Sequence, residues 1–242
     1  MSDETAVARR ENNVITRQEE NSTTKKFFSE FNKVFISGKI EAEFEYSHEV
    51  LWEKFYRTRV RVERLSGTED FVPIIVSDLL IGRERMKNSL KGKWVEVAGE
   101  FRSHNKEGED GRKHLALFLF VTAINIYDDE DELEETTNTN LIYLDGYLCK
   151  PPVYRKTSLG RQITDLLIAV NRPYGKSDYI PCIAWGRVAQ WASEFETGNR
   201  VKLYGRIQSR EYFKRYSEDS DEGEHRVAYE ISVMRMQGVE EG

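Results

Sequence analysis

Residues 178–183 read Asp178-Tyr179-Ile180-Pro181-Cys182-Ile183, and 108 positions earlier the chain reads Asp70-Phe71-Val72-Pro73-Ile74-Ile75. The correspondence extends outward from this run. Upstream, Ile36-Ser37-Gly38 returns as Leu144-Asp145-Gly146, and Val62-Glu63-Arg64 as Val170-Asn171-Arg172, at the same spacing. Downstream, the eight residues from Gly92 to Gly99 match those from Gly198 to Gly205 at a spacing of 106. Solenoid units repeat every ~20–50 residues, so a period this long means two copies of one domain. Each copy then has roughly 100 residues, a common domain size.

Within a copy the patterning is that of strands. Thr58, Val60 and Val62 alternate with Arg57, Arg59, Arg61 and Glu63, the period-two signature of a half-buried strand. Val201, Leu203, Gly205 and Ile207 alternate with Lys202, Tyr204, Arg206, Gln208 and Arg210 in the same way. Between the third and fourth strands, Val188, Trp191, Ala192 and Phe195 fall at i, i+3, i+4 and i+7, one apolar helical stripe, with Gly198 placed as its C-terminal cap. The first copy has a sparser version, Leu79, Met86 and Leu90, ending at Gly92. Each copy therefore reads strand, strand, strand, helix, strand, strand. That order predicts an all-β protein of two tandem OB-folds, five-stranded Greek-key barrels with one short helix each. Gly99 and Gly205 stand where a barrel strand must bend sharply.

The boundaries follow composition. Residues 1–30 are polar and predict a disordered N-terminal arm; they lack the apolar core of a secretory signal. Residues 31–127 form the first OB-fold, 128–140 an acidic linker, 141–237 the second OB-fold and 238–242 a short tail. No stretch approaches the ~18 apolar residues of a membrane span, which predicts a cytoplasmic protein with no membrane partner. Cys149 and Cys182 read as reduced thiols, and the four scattered histidines offer no metal-ligand spacing. No metal and no cofactor are expected.

The net charge of −6 conceals a division. Residues 128–135 hold seven acids in eight positions, and 218–224 hold five in seven. Residues 145–216 instead carry 13 Lys and Arg against 6 Asp and Glu. Local charge governs partner choice more than the total does.

The stretches AVNR (169–172), IAWGRVAQWASEF (183–195) and GNRVKLYGRIQSREY (198–212) resemble the bacterial single-stranded DNA-binding protein family, and the similarity covers residues 141–237. The first copy looks like a diverged relative. The resemblance implies OB-folds that coat single-stranded DNA in replication, recombination or repair, with no enzymatic activity and a location at the nucleoid. It also implies assemblies of four folds, here a homodimer of a two-fold chain, with replication or repair proteins as further partners. Family members stack bases on aromatics at four places. In this chain they are Tyr174 after the second strand, Tyr179 at the start of the third, Trp185 at its end and Tyr212 after the fourth.

A protein that coats any sequence needs contacts every nucleotide can make: stacking on rings and neutralisation of phosphates. Basic residues interleave with these aromatics at Arg155, Lys156, Arg172, Lys176, Arg187, Lys202, Arg206 and Arg210. Tyr174 and Tyr212 also read as plain surface aromatics, one of Tyr179 and Trp185 as a core residue, and each cation as solvated surface. Trp191 is assigned to the helix's buried stripe. The first copy has Ser66, Phe71, Ser77 and Lys106 at the four stacking positions, and Glu96 and Glu100 opposite Lys202 and Arg206. It is expected mainly to build the oligomer, with Arg57, Arg59 and Arg61 left for phosphates. No acidic, apolar-tipped tail of the family kind follows residue 237. The second reading is an OB-fold adaptor between proteins of a replication or primosome assembly, as in primosomal replication protein N.

Overall fold

The computed structural model describes residues 31–107, 111, 113–128, 140–215 and 222–239, without the side chains of 106, 107, 113, 174 and 214. The N-terminal arm, most of the acidic linker, residues 216–221 and the end of the tail lie outside the described residues.

Each copy forms six strands, the long ones laid down by alternation of apolar and polar residues. The first has β1 (Asn32–Ile40), β2 (Glu45–Val50), β3 (Glu53–Glu63), β4 (Glu69–Ser77), helix α1 (Asp78–Ile81), β5 (Trp94–Glu107) and β6 (Lys113–Tyr127). The second has β7 (Asn140–Leu148), β8 (Val153–Lys156), β9 (Gln162–Arg172), β10 (Lys176–Trp185), helix α2 (Gly186–Ala192), β11 (Arg200–Arg215) and β12 (Gly223–Val239). In the first copy β1 pairs with both β3 and β5, and β4 runs parallel to β6, which closes a barrel. In the second, β7 pairs with β9 and β11, and β10 runs parallel to β12. This is the OB-fold twice. The short strands β2 and β8 are additions to the expected five; each flanks the long second barrel strand as one arm of a hairpin.

The inward residues meet the barrel axes as the alternation requires. Val60, Val62, Val201, Leu203 and Ile207 are all buried, within a core that runs through both copies. The bends are real. The β5–β6 register shifts at Ala98/Gly99 and the β11–β12 register at Tyr204/Gly205. A Cβ on Gly99 would lie 2.1 Å from the Phe120 carbonyl oxygen, and one on Gly205 2.5 Å from that of Ser232. Only glycine allows so close a backbone approach.

The helices are shorter than their apolar spacing predicts. α2 ends at Ala192, capped at Ser193, so Phe195 lies beyond it and Gly198 in a later turn. Ala189 and Ala192 carry its buried face, and Trp191 is 39% exposed, contrary to its assignment to the core. α1 is a single turn, followed by a 3-10 turn at Arg85–Lys87, with Leu79 exposed.

The two barrels share one sheet through β1 and β7, which pair antiparallel with Val34 opposite Ile142. These two residues are repeat equivalents, 108 apart, so the pairing is centred on a pseudo-twofold axis. It is the self-complementary contact of a symmetric dimer, made within one chain.

Candidate nucleic-acid interface

The aromatics predicted on the third strand of the second copy come from alternate positions of β10. Ile180, Cys182 and Ala184 point into the barrel and are buried, which turns Tyr179 and Trp185 to the outer face. Tyr179 is 45% exposed and Trp185, at the entry to α2, is half-buried. Neither ring belongs to the core. Tyr212 lies within β11, which continues well past the barrel, and not after it; the Arg210 guanidinium sits 5.7 Å from its ring centroid. Tyr174 occupies the 3-10 turn Pro173–Gly175 between β9 and β10; its side chain lies outside the described residues.

The backbone under Tyr179 is fixed by the first copy. The Ser103 N–H donates to Asp178 Oδ1 at 2.7 Å, and the Tyr179 N–H donates to Ser103 Oγ at 2.8 Å. The same lock recurs on the other side of the axis. The Ser209 N–H donates to Asp70 Oδ1 at 2.8 Å, and the Phe71 N–H to Ser209 Oγ at 3.0 Å. Within each copy an asparagine adds a matching bracket. Asn32 exchanges two hydrogen bonds with the Phe101 backbone, and Asn140 two with that of Ile207.

The two locks differ in charge. Asp70 is held by both Nε and Nη2 of Arg64, each at 2.6 Å. Arg172 approaches Asp178 at 3.2 Å without hydrogen-bond alignment. Both carboxylates are fully buried. Burial pushes the Asp178 carboxyl above the usual range; the Ser103 N–H and Arg172 oppose the shift. Arg206 lies beside the Asp70 lock. Burial first, then the Arg64 charge, lowers its pKa.

The predicted cations therefore divide. Lys176, Arg187 and Arg210 are exposed. Arg155 is exposed but paired with Asp165 at 2.5 Å. Arg172 and Arg206 sit in the seam between the copies, Arg172 beside Asp178 and Arg206 near the Arg64–Asp70 pair. Lys202 lies 3.9 Å from Asp145 and lines, with Arg187 and Arg235, a groove of about 520 Å³ whose apolar walls are Trp191, Tyr204 and Met234. Sequence reasoning missed this groove, because the helical stripe placed Trp191 inside. Among the described residues no group of three or more His, Cys, Asp or Glu could hold a metal, and no helix is long and apolar enough to cross a membrane.

Residues 139–239 match the model of the single-strand binding protein family. The single-stranded DNA-binding protein B of Bacillus subtilis is 34% identical over 80 residues, 30% of this chain and 71% of that protein. A relative from Fusobacterium nucleatum is 33% identical over 82 residues, and the chain spans about half (53%) of its length. The Thermus aquaticus single-stranded DNA-binding protein is 27% identical over 188 residues, 71% of this chain and 69% of that one. Its crystal structure superposes with a TM-score of 0.66 at 19% identity, over 87% of this chain and 94% of that chain, so the likeness of fold extends across both copies.

Proposed function

Since the chain belongs to the single-strand binding protein family, we propose that it coats single-stranded DNA without sequence preference, serving replication, recombination or repair and catalysing no reaction. One observation carries this reading: Tyr179, Trp185 and Tyr212 lie outside the core, on strands that also present Lys176 and Arg210, with Arg187 following Trp185 on α2. Rings offer every base the same stacking surface, and cations offer every phosphate the same charge. The strand crosses the second copy over these groups. Arg155 contributes once its exposed pair with Asp165 opens. Arg172 acts in the seam, beside Asp178.

Two such chains associate into a unit of four OB-folds. The groove walled by Trp191, Tyr204 and Met234 and flanked by Lys202 supports this, because it leaves apolar surface on the outer sheet face for a second copy to cover. Replication or repair proteins bind elsewhere, and the protein works in the cytoplasm at the nucleoid.

Titration of a fluorescent oligothymidylate, with duplex DNA as control, tests the proposal. Tight binding to the single strand, weakening steeply with salt, is expected. Equal affinity for the duplex, or no binding to either, overturns it. Light scattering of the free protein tests the two-chain unit.

A further inference from the structure

The two copies have diverged in complementary ways at two places. The first is the tip of the β2–β3 hairpin. Leu51 and Trp52 join the strands, closed by the pair Val50 and Glu53. Their φ values are +49° and +68°. A two-residue turn with positive φ at both positions favours Asn-Gly and penalises bulky side chains. Yet Leu51 is 90% exposed and Trp52 85%. Packing within the chain does not offset the strain, which leaves both side chains displayed toward another molecule. The tip is also acidic. Glu49 and Glu53 flank it, with Lys54, opposite Glu49, as one cation against the two acids. Arg83 donates to the Trp52 carbonyl at 3.3 Å and is neutralised by Asp78 at 2.9 Å. The matching connection between β8 and β9 has the opposite sign. Exposed Lys156 and Arg161 bracket Leu159, the positive φ falls on Gly160, and residues 157–161 include no aromatic.

The second place is the groove of about 520 Å³ on the second copy. Its walls, Trp191, Tyr204 and Met234, are all exposed, and its rim is cationic, with Arg187, Lys202 and Arg235. The first copy has lost the makings of such a groove. At the spacing of 106, Glu96 and Ala98 replace Lys202 and Tyr204, and Glu96 accepts from the Tyr127 hydroxyl at 2.7 Å. Thr122 replaces Met234: each stands two residues after the carbonyl that crowds the bulge glycine, Phe120 against Gly99 and Ser232 against Gly205. One chain therefore carries one acidic, aromatic tip and one cationic, apolar groove, on different copies.

We infer that the tip of one chain's β2–β3 hairpin docks into the groove of a second copy of the chain, Leu51 and Trp52 against Trp191, Tyr204 and Met234, and Glu49 and Glu53 against Lys202 and Arg235. Docking of this kind rests on the two-chain reading and supplies its surfaces. A tryptophan seated in a desolvated pocket is the side chain that most often dominates an interface. The opposite charges fix which tip enters: the acidic tip of the first copy is drawn to the cationic rim, and the cationic tip of the second is repelled. Since each chain has one tip and one groove, reciprocal insertion closes the contact at two chains.

The double substitution Leu51→Asn/Trp52→Gly tests it. It installs the residues that the turn geometry favours, so the hairpin persists without its displayed side chains. Sedimentation of the free protein at a series of concentrations should give the parent a two-chain mass. The variant's dissociation constant should rise by at least about 30-fold, the loss of one dominant interface side chain. Glu49→Lys/Glu53→Lys and Lys202→Glu/Arg235→Glu should each weaken the pair, and the variant with all four changes should pair more tightly than either. A tip variant that pairs like the parent, or a fourfold variant no tighter than the double ones, overturns the docking alone. A parent of one-chain mass overturns the two-chain reading with it, and the oligothymidylate titration still judges single-strand binding separately.

Discussion

Asp70 and Asp178 are repeat equivalents with unequal surroundings, and their substitutions should separate. Asp70→Asn removes the charge that a bidentate Arg64 neutralises in a buried site. It should cost about 3 kcal/mol in chemical denaturation. Asp178→Asn keeps the acceptor for Ser103 and gives up only a misaligned ion pair; it should cost less than about 1 kcal/mol. The pH dependence has a definite sign. The native Asp178 carboxyl binds its proton more tightly than the unfolded one, so its ionisation weakens the fold. That cost is present above the raised native pKa and disappears as pH falls toward the unfolded value near ~3.9. The stability of Asp178→Asn relative to the parent should therefore improve as the pH rises from about 4 to 7. On the binding face, Tyr179→Ala should weaken single-strand binding by ~1–3 kcal/mol in a fluorescence titration without lowering the melting temperature, since its ring lies outside the core. The ring positions of Tyr179 and Trp185 were legible because strand parity decides them. The carboxylate locks were not, because Ser103 and Asp178 are 75 residues apart and Ser209 and Asp70 are 139 apart. The aspartates nonetheless open both copies of the most visible repeated motif.

Among the elements, the long barrel strands announced themselves and the short ones did not. β3 and β11 alternate cleanly. β2 reads Glu-Tyr-Ser-His-Glu-Val, with no apolar face, and its turn has neither Gly nor Asn, so neither strand nor hairpin signals itself. The apolar stripe overextends α2 because Phe195 keeps helical spacing from Trp191 beyond the last helical residue; the two rings pack edge-on at 4.7 Å, with Phe195 against the core. Two substitutions test the element geometry in opposite directions. Gly205→Ala forces a methyl group to 2.5 Å from the Ser232 carbonyl oxygen at the β11 bulge. It should destabilise the protein by about 1–3 kcal/mol. Leu51→Asn/Trp52→Gly relieves the positive φ of two bulky residues in the turn that joins β2 and β3, and should raise the free energy of unfolding by about 1 kcal/mol or more.

For the whole molecule, the repeat fixes the number of copies, and the uneven charge concentrates the cations in the second copy. The net charge of −6 should not weaken the salt dependence of binding, because screening limits the acidic segments to their own neighbourhood. Each phosphate contact contributes about −0.7 to the log–log salt slope on single strands. Lys176→Ala/Arg210→Ala should flatten it by about 1.4, measured by titration at several salt concentrations. The pairing of β1 with β7 has one more effect. In a symmetric pair of separate polypeptides, every substitution appears on both sides of the axis and dilution can part the halves. Here the peptide bond makes the partner's local concentration independent of how much protein is present. A change such as serine for tryptophan, at Ser77 opposite Trp185, then alters one side alone. Joining two equals in one chain gave each the freedom to specialise without losing its companion.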